Sequence, residues 1–254
     1  MKVNELFESI RVQFSDEPES TKQEVPGREY LGEMVYGGLD GIVTTFAVIS
    51  GVVGGGLGFG AILIIGFSSL FADGFSMATG AFLSARSEQE AYDFRRQQEA
   101  RARQQDEAAK REELAELYKE DGYNPDDARQ LADLRATQPE QMDREIMIEQ
   151  HGMIQDDRNA YLVGLATFIA FIVAGTLPLL VYVVGLFVDV PRDWSFPISV
   201  VLTGVALFLL GAAKVVVTRR NALRSGLEML VIGGLAAGVA YGVGALLSGI
   251  GAAA

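Results

Sequence analysis

The chain has 254 residues, with 33 acidic against 21 basic, and its net charge of −12 argues against nucleic-acid binding, which needs a basic face. It contains no cysteine, which removes disulfides, thiolate metal sites and cysteine nucleophiles, and its one histidine, His151, leaves little imidazole chemistry. Any metal site must rely on carboxylate, carbonyl, amide, hydroxyl or thioether ligands.

The mean hydropathy of +0.22 hides a segregation. Nearly all charge lies in residues 1–33 and 84–158, while 34–83 and 159–250 are almost free of it. That pattern predicts an all-α polytopic membrane protein carrying an inserted soluble unit, not a globular protein with a large core.

In chain order, Val3, Leu6, Phe7, Ile10 and Phe14 recur at helical spacing, and Ser15–Gly27, with Pro18 and Pro26, reads as a linker. Residues 1–33 are therefore expected to be an amphipathic helix and linker. They lack the basic start of a cleaved signal peptide, so the first apolar run is expected to be retained. Five spans follow, each near the roughly 20 residues a bilayer requires. They run about Val35–Phe59, Ala61–Ser84, Ala160–Val188, Phe196–Val217 and Leu227–Ile250. The first two (34–84) form a hairpin through the glycines of 54–58, and the last three occupy 159–254. The 85–158 insertion holds twelve Lys/Arg, and Lys214, Arg219, Arg220 and Arg224 follow span four, against Arg192 alone on the other side. The positive-inside rule puts the N-terminus and the 85–158 domain in the cytosol, with a prokaryotic cell membrane as the expected location.

The insertion is helical by pattern. Arg86 to about Ala109 continues span two into the cytosol, and Lys110–Asp121 forms a second helix. Asn124-Pro125 starts a third, to Ala136, since Asn caps and Pro suits the first helical position. Pro139 opens a fourth through about His151.

The chemistry concentrates inside the spans. Asp40 lies roughly 7–8 Å into span one, and Asp73 about 12 Å from the cytosolic side in span two. Met77 follows Asp73 at i+4 and Thr44 follows Asp40 at i+4, so the four share a narrow slice of membrane. Carboxylates at that depth are costly and mark an ion or substrate path. A thioether adds nothing for Mg²⁺ or Ca²⁺ and tilts the set toward transition metals. The blander reading of a membrane methionine is packing.

The insertion carries twenty Asp/Glu, and charge runs usually mean a wet face. Spacing singles out Glu113 and Glu116 at i,i+3, Glu99 three turns beyond Glu88, and Met147 flanked by Glu145 and Glu149. If the first, second and fourth helices pack together, these residues form a cation site at the pore mouth.

Two segments resemble the vacuolar iron transporter family: Asp40-Gly-Ile-Val-Thr-Thr-Phe-Ala, and Gly74-Phe-Ser-Met-Ala-Thr-Gly-Ala-Phe-Leu-Ser-Ala-Arg-Ser-Glu88. The resemblance implies a homodimeric, proton-coupled exporter of Fe²⁺ or Mn²⁺ with no organic cofactor, its path between the first two spans at the dimer axis. It places the pore ligands on Asp40 and Met77 and the domain's metal ligands on Glu99, Glu113, Glu116, Met147 and Glu149. It also implies departures: Ala102 and Ser69 stand where the family has glutamates, and Gln150 competes with Glu149 for one ligand position. A membrane-tethered di-iron oxidase is the enzyme alternative, but it typically needs paired Glu-x-x-His motifs, and the single histidine has Ile148 three residues before it. A non-transporting scaffold is the other, and it gains nothing from acids within spans.

Overall fold

The structure, a computed structural model, describes residues 28–188, 190–213 and 221–251. The expected amphipathic helix and the linker Ser15–Gly27 lie outside the described residues, as do Lys214, Arg219 and Arg220.

Among the described residues the chain is helical, with no strand. A 3-10 turn, Arg28–Tyr30, leads into α1 (Leu31–Gly54). α2 (Phe59–Gln105) is one unbroken helix of 47 residues, roughly 70 Å long at 1.5 Å per residue. Three shorter helices follow: α3 (Glu107–Glu120), α4 (Pro125–Ala136) and α5 (Pro139–Glu149). The chain then runs through α6 (Ala160–Val184), α7 (Arg192–Ala213) and α8 (Ala222–Gly251). Five of these, α1, α2, α6, α7 and α8, contain stretches long and apolar enough to cross a membrane. The spans start or end a few residues from the hydropathy-based bounds: α1 begins at Leu31 and stops at Gly54, where Gly56 (φ 69°) turns the chain.

α1 sits at the centre of the apolar bundle, packed on α6 and α8. Its glycines explain the closeness. A Cβ at Gly37 would lie 2.7 Å from the Thr167 carbonyl oxygen, and one at Gly41 would collide with the backbone of Phe171, so α1 and α6 meet backbone to backbone. Small residues are the usual device where helices pack without a hydrophobic driving force between them. Ile49, Val52, Ile62, Leu70, Phe171, Leu179 and Tyr182 fill the core between α1, α2 and α6.

The second half of α2 leaves this bundle and joins α3–α5 around Leu114, Ala115, Tyr118, Ala128, Ala132, Met142 and Ile146. The helix stops at Gln105, four residues short of the expected Ala109, because Asp106 leaves helical geometry and caps α3, accepting from the Ala109 N–H at 2.9 Å. α4 begins and ends where the sequence places it: the Asn124 side chain accepts from the N–H groups of Asp126 and Asp127, with Pro125 behind it. α5 is fastened to α2 by a fork of hydrogen bonds from Arg103 to Asp143 (2.7 and 3.1 Å), with the Asp143 side chain only 6% exposed.

A second joint ties this unit to the bundle. Arg158 pairs with Glu33 at the start of α1 (2.5 Å) and with Asp156, while Gln89 on α2 donates to the Asp156 and Arg158 carbonyls at 3.0 and 2.6 Å. The Arg158 guanidinium accordingly holds the Asp156 carboxyl below its usual range.

Candidate functional site

Asp40 and Asp73 are both exposed on the single chain, on α1 and α2. Local packing decides this. Gly41 turns to α6, and Gly74 is buried against Phe171 and Ile172, so the acid preceding each glycine is left on a face that the described helices do not cover. Asp73 is oriented by Ser69 one turn earlier, whose Oγ donates to its Oδ2 at 2.7 Å. Thr44 follows Asp40 as expected, but its hydroxyl donates to the Asp40 backbone carbonyl at 2.8 Å, spending its proton on the helix. Met77 is half-buried and packs against the apolar cluster around Ile49, Leu70 and Phe171. Carboxylates on an apolar, membrane-length surface are costly to keep there.

The helical unit holds the remaining candidates in two groups. In the first, α2 and α3 bring Glu99 and Glu113 together, and the end of α5 closes over them. Lys110 Nζ lies 2.5 Å from Glu99 Oε2 and 2.8 Å from Glu113 Oε2. His151 Nε2 lies 2.9 Å from Glu99 Oε1, and Gln150 Nε2 donates to Glu113 Oε1 at 2.5 Å. Burial pushes the Glu99 carboxyl up, but the hydrogen bonds and charges of Lys110 and His151 outweigh it and hold the group below the usual carboxylate value. Burial likewise works against the Lys110 ammonium, and the two glutamates outweigh it and raise that group.

In the second group, Glu145 accepts from the Tyr118 hydroxyl at 3.1 Å and pairs with Arg135 at 3.5 Å. Burial, opposed by Arg135 and aided by the Glu145 charge, pushes the Tyr118 phenol up to about 12. The neighbouring Asp121 carboxyl, burial and the Glu145 charge raise the Glu149 carboxyl.

The expected cation site is thus divided. The first, second and fourth helices of the insertion do pack together, which places Glu99 beside Glu113. Glu116 faces solvent and pairs with Lys119 (2.7 Å), while Glu145 and Glu149 belong to the second group. Met147 is fully buried. Among the described residues, no group of three or more His, Asp or Glu is arranged to hold a metal ion.

The contacts of Ser69 with Asp73, of Lys110 with Glu99 and Glu113, of Gln150 with Glu113 and of His151 with Glu99 are additions to the sequence expectations, in which Ser69 and Gln150 figured only as positions of family ligands. Two of these had a local signal: Ser69 stands at i,i+4 to Asp73, and Lys110 at i,i+3 to Glu113. The other contacts to the glutamates span 37 and 52 residues and arise from packing.

The chain matches the model of the VIT family over residues 31–245. Among curated proteins it is 32% identical over 225 residues to the "Vacuolar iron transporter" of Toxoplasma gondii, covering 86% of this chain and 74% of the relative. It is 29% identical over 226 residues to "Vacuolar iron transporter 1" of Arabidopsis thaliana, covering 87% of each. Against the "Vacuolar iron transporter" of Plasmodium berghei the identity is 27% over 226 residues, with 87% of this chain and 83% of the relative covered.

Proposed function

This chain belongs to the VIT family, and on that premise we propose that it is a transporter that carries Fe²⁺ or Mn²⁺ out of the cytosol in exchange for protons. The observation that carries the reading is the uncovered pair Asp40 and Asp73 on membrane-length helices. Two carboxylates offer a divalent ion neutralising charge, and Met77, one turn from Asp73, adds the soft ligand that favours a transition metal over Ca²⁺ or Mg²⁺. Thr44, its hydroxyl proton engaged by the backbone, keeps its oxygen lone pairs as a further acceptor in the path.

A carboxylate that binds a cation when ionised releases it when protonated. A proton reaching Asp40 or Asp73 from the far side therefore discharges the ion there, and the inward proton drives the metal outward. The uncovered face calls for a cover, and a second copy of the chain provides one while placing two such pairs around a shared axis, which makes a homodimer in the lipid bilayer part of the proposal. A twofold axis presents the same patch on both partners, so four carboxylates would converge on one path.

The acidic unit between the second and third apolar helices then faces the cytosol, as the distribution of basic residues favours. There Glu99, Glu113, Glu116, Glu145, Glu149 and Met147 are its proposed metal-gathering residues, with Glu99 and Glu113 the pair that already meets. The relatives named above are eukaryotic and carry the vacuole in their names, so the expectation of a prokaryotic cell membrane finds no support in them.

The test is metal flux into proteoliposomes under an imposed proton gradient. Asp40→Asn is expected to abolish proton-dependent Fe²⁺ and Mn²⁺ flux; unchanged flux would refute the mechanism. Equal transport of Ca²⁺ by the unaltered chain would refute the role given to Met77.

A further inference from the structure

We propose that Lys110 is a tethered occupant of the cation seat between Glu99 and Glu113, so that a divalent ion enters only by displacing its ammonium. This rests on the reading that the acidic unit takes up divalent metal, and it names the device that sets the affinity of that uptake. All four carboxylate oxygens of the pair have a partner within the chain. Lys110 Nζ takes one oxygen from each glutamate, His151 Nε2 faces the second oxygen of Glu99, and Gln150 donates to the second oxygen of Glu113.

The ammonium therefore stands where a bridging cation would stand, and its side chain is only 13% exposed. It is a compact point charge on a flexible four-carbon stem, suited both to fill such a seat and to swing out of it. A bound divalent ion and Lys110 repel one another and share the same two oxygens, so each lowers the other's occupancy by the same factor. The consequence is a threshold. At low cytosolic metal the seat stays closed by lysine, and capture begins only when the ion is abundant enough to compete.

The experiment uses the full chain in detergent micelles, with Mn²⁺ as probe and free Mn²⁺ read by electron paramagnetic resonance. Lys110→Gln is expected to tighten Mn²⁺ binding by about tenfold, an ordinary size for such coupling. Lys110→Arg, which keeps the charge, should bind like the unaltered chain, and adding Glu99→Gln with Glu113→Gln should erase the gain. If Lys110→Gln and Lys110→Met bind Mn²⁺ no more tightly than the unaltered chain, or if the gain survives loss of both glutamates, the proposal is wrong. Should the lysine variants lose their native melting transition without metal, its restoration by Mn²⁺ supports the proposal, and a failure of Mn²⁺ to restore it refutes it.

The parent reading is tested separately by Glu99→Gln/Glu113→Gln in the Lys110 background. If that pair changes nothing while Lys110→Gln creates a glutamate-dependent site, metal capture by the natural chain falls and the lysine's role stands.

Discussion

Two sets of acids in this chain are handled in opposite ways. Among the described residues, Asp40 and Asp73 lie on apolar helices without a cationic partner, on a face those residues leave open. Glu99, Glu113 and Asp143 lie in the charged helical unit, where water is at hand, yet each is paired with an internal lysine or arginine. Placement alone would suggest the reverse. In the reading proposed above, the open acids are the ion's path and the Glu99–Glu113 pair is a seat its own lysine fills, while the Arg103–Asp143 fork is structural.

Breaking that contrast should affect stability on one side and transport on the other. The largest effect is expected from Arg103→Ala, which strands the buried Asp143 carboxylate without its fork of hydrogen bonds. The cost should be about 3 kcal/mol, much of it recovered in the Arg103→Ala/Asp143→Ala double variant, as a double-mutant cycle on thermal melts would read. Asp73→Asn should leave the melt unchanged or raised while cutting proton-driven metal flux by at least about tenfold, some 1.4 kcal/mol of transport barrier. A destabilised Asp73→Asn would place that acid with the structural set.

Ser69→Ala removes only the hydroxyl that orients Asp73 and should slow flux by a few-fold, roughly the worth of one net hydrogen bond, with an unchanged proton gradient requirement. The smallest effect belongs to Glu149, whose carboxyl is raised by Asp121, burial and Glu145. A raised carboxyl favours the fold below its unfolded value near 4.5, and that contribution fades as pH rises through the folded value. Glu149→Gln should therefore raise the melting temperature slightly at neutral pH and not in acid. Glu99 carries the opposite sign. Its lowered carboxyl stabilises the fold above 4.5 and loses that contribution as pH falls through the depressed value. A melt of Glu99→Gln should thus differ from the parent at neutral pH and converge with it in strong acid.

Helices were the legible part of this chain. Hydropathy located all five apolar helices because lipid demands long uninterrupted runs, and Asn124-Pro125 located α4 to the residue because a cap is a local device. The end of α2 was misplaced by four residues because Asp106 looks like one more helical charge until its side chain is seen capping the next helix. The membrane acids were equally readable, since their cost depends on composition alone. The pairing of the domain acids was not. Whether Glu113 meets a metal, water or Lys110 depends on how α2, α3 and the end of α5 pack, and helical spacing does not encode that. A lone histidine matches no motif, yet packing sets His151 against Glu99.

The unbroken run of α2 has a mechanical consequence. Asp73 and Glu99 lie 26 residues apart on the same helix, about 39 Å at 1.5 Å per residue, with no joint between them. Such a helix behaves as a lever. A tilt of about 5° at its membrane end sweeps its far tip through about 6 Å over the full 70 Å length. Because the Arg103–Asp143 fork fastens α5 near that tip, a rocking motion too slight to reorder the apolar bundle would swing the charged helical unit as one piece and load its joint at Arg158 and Glu33.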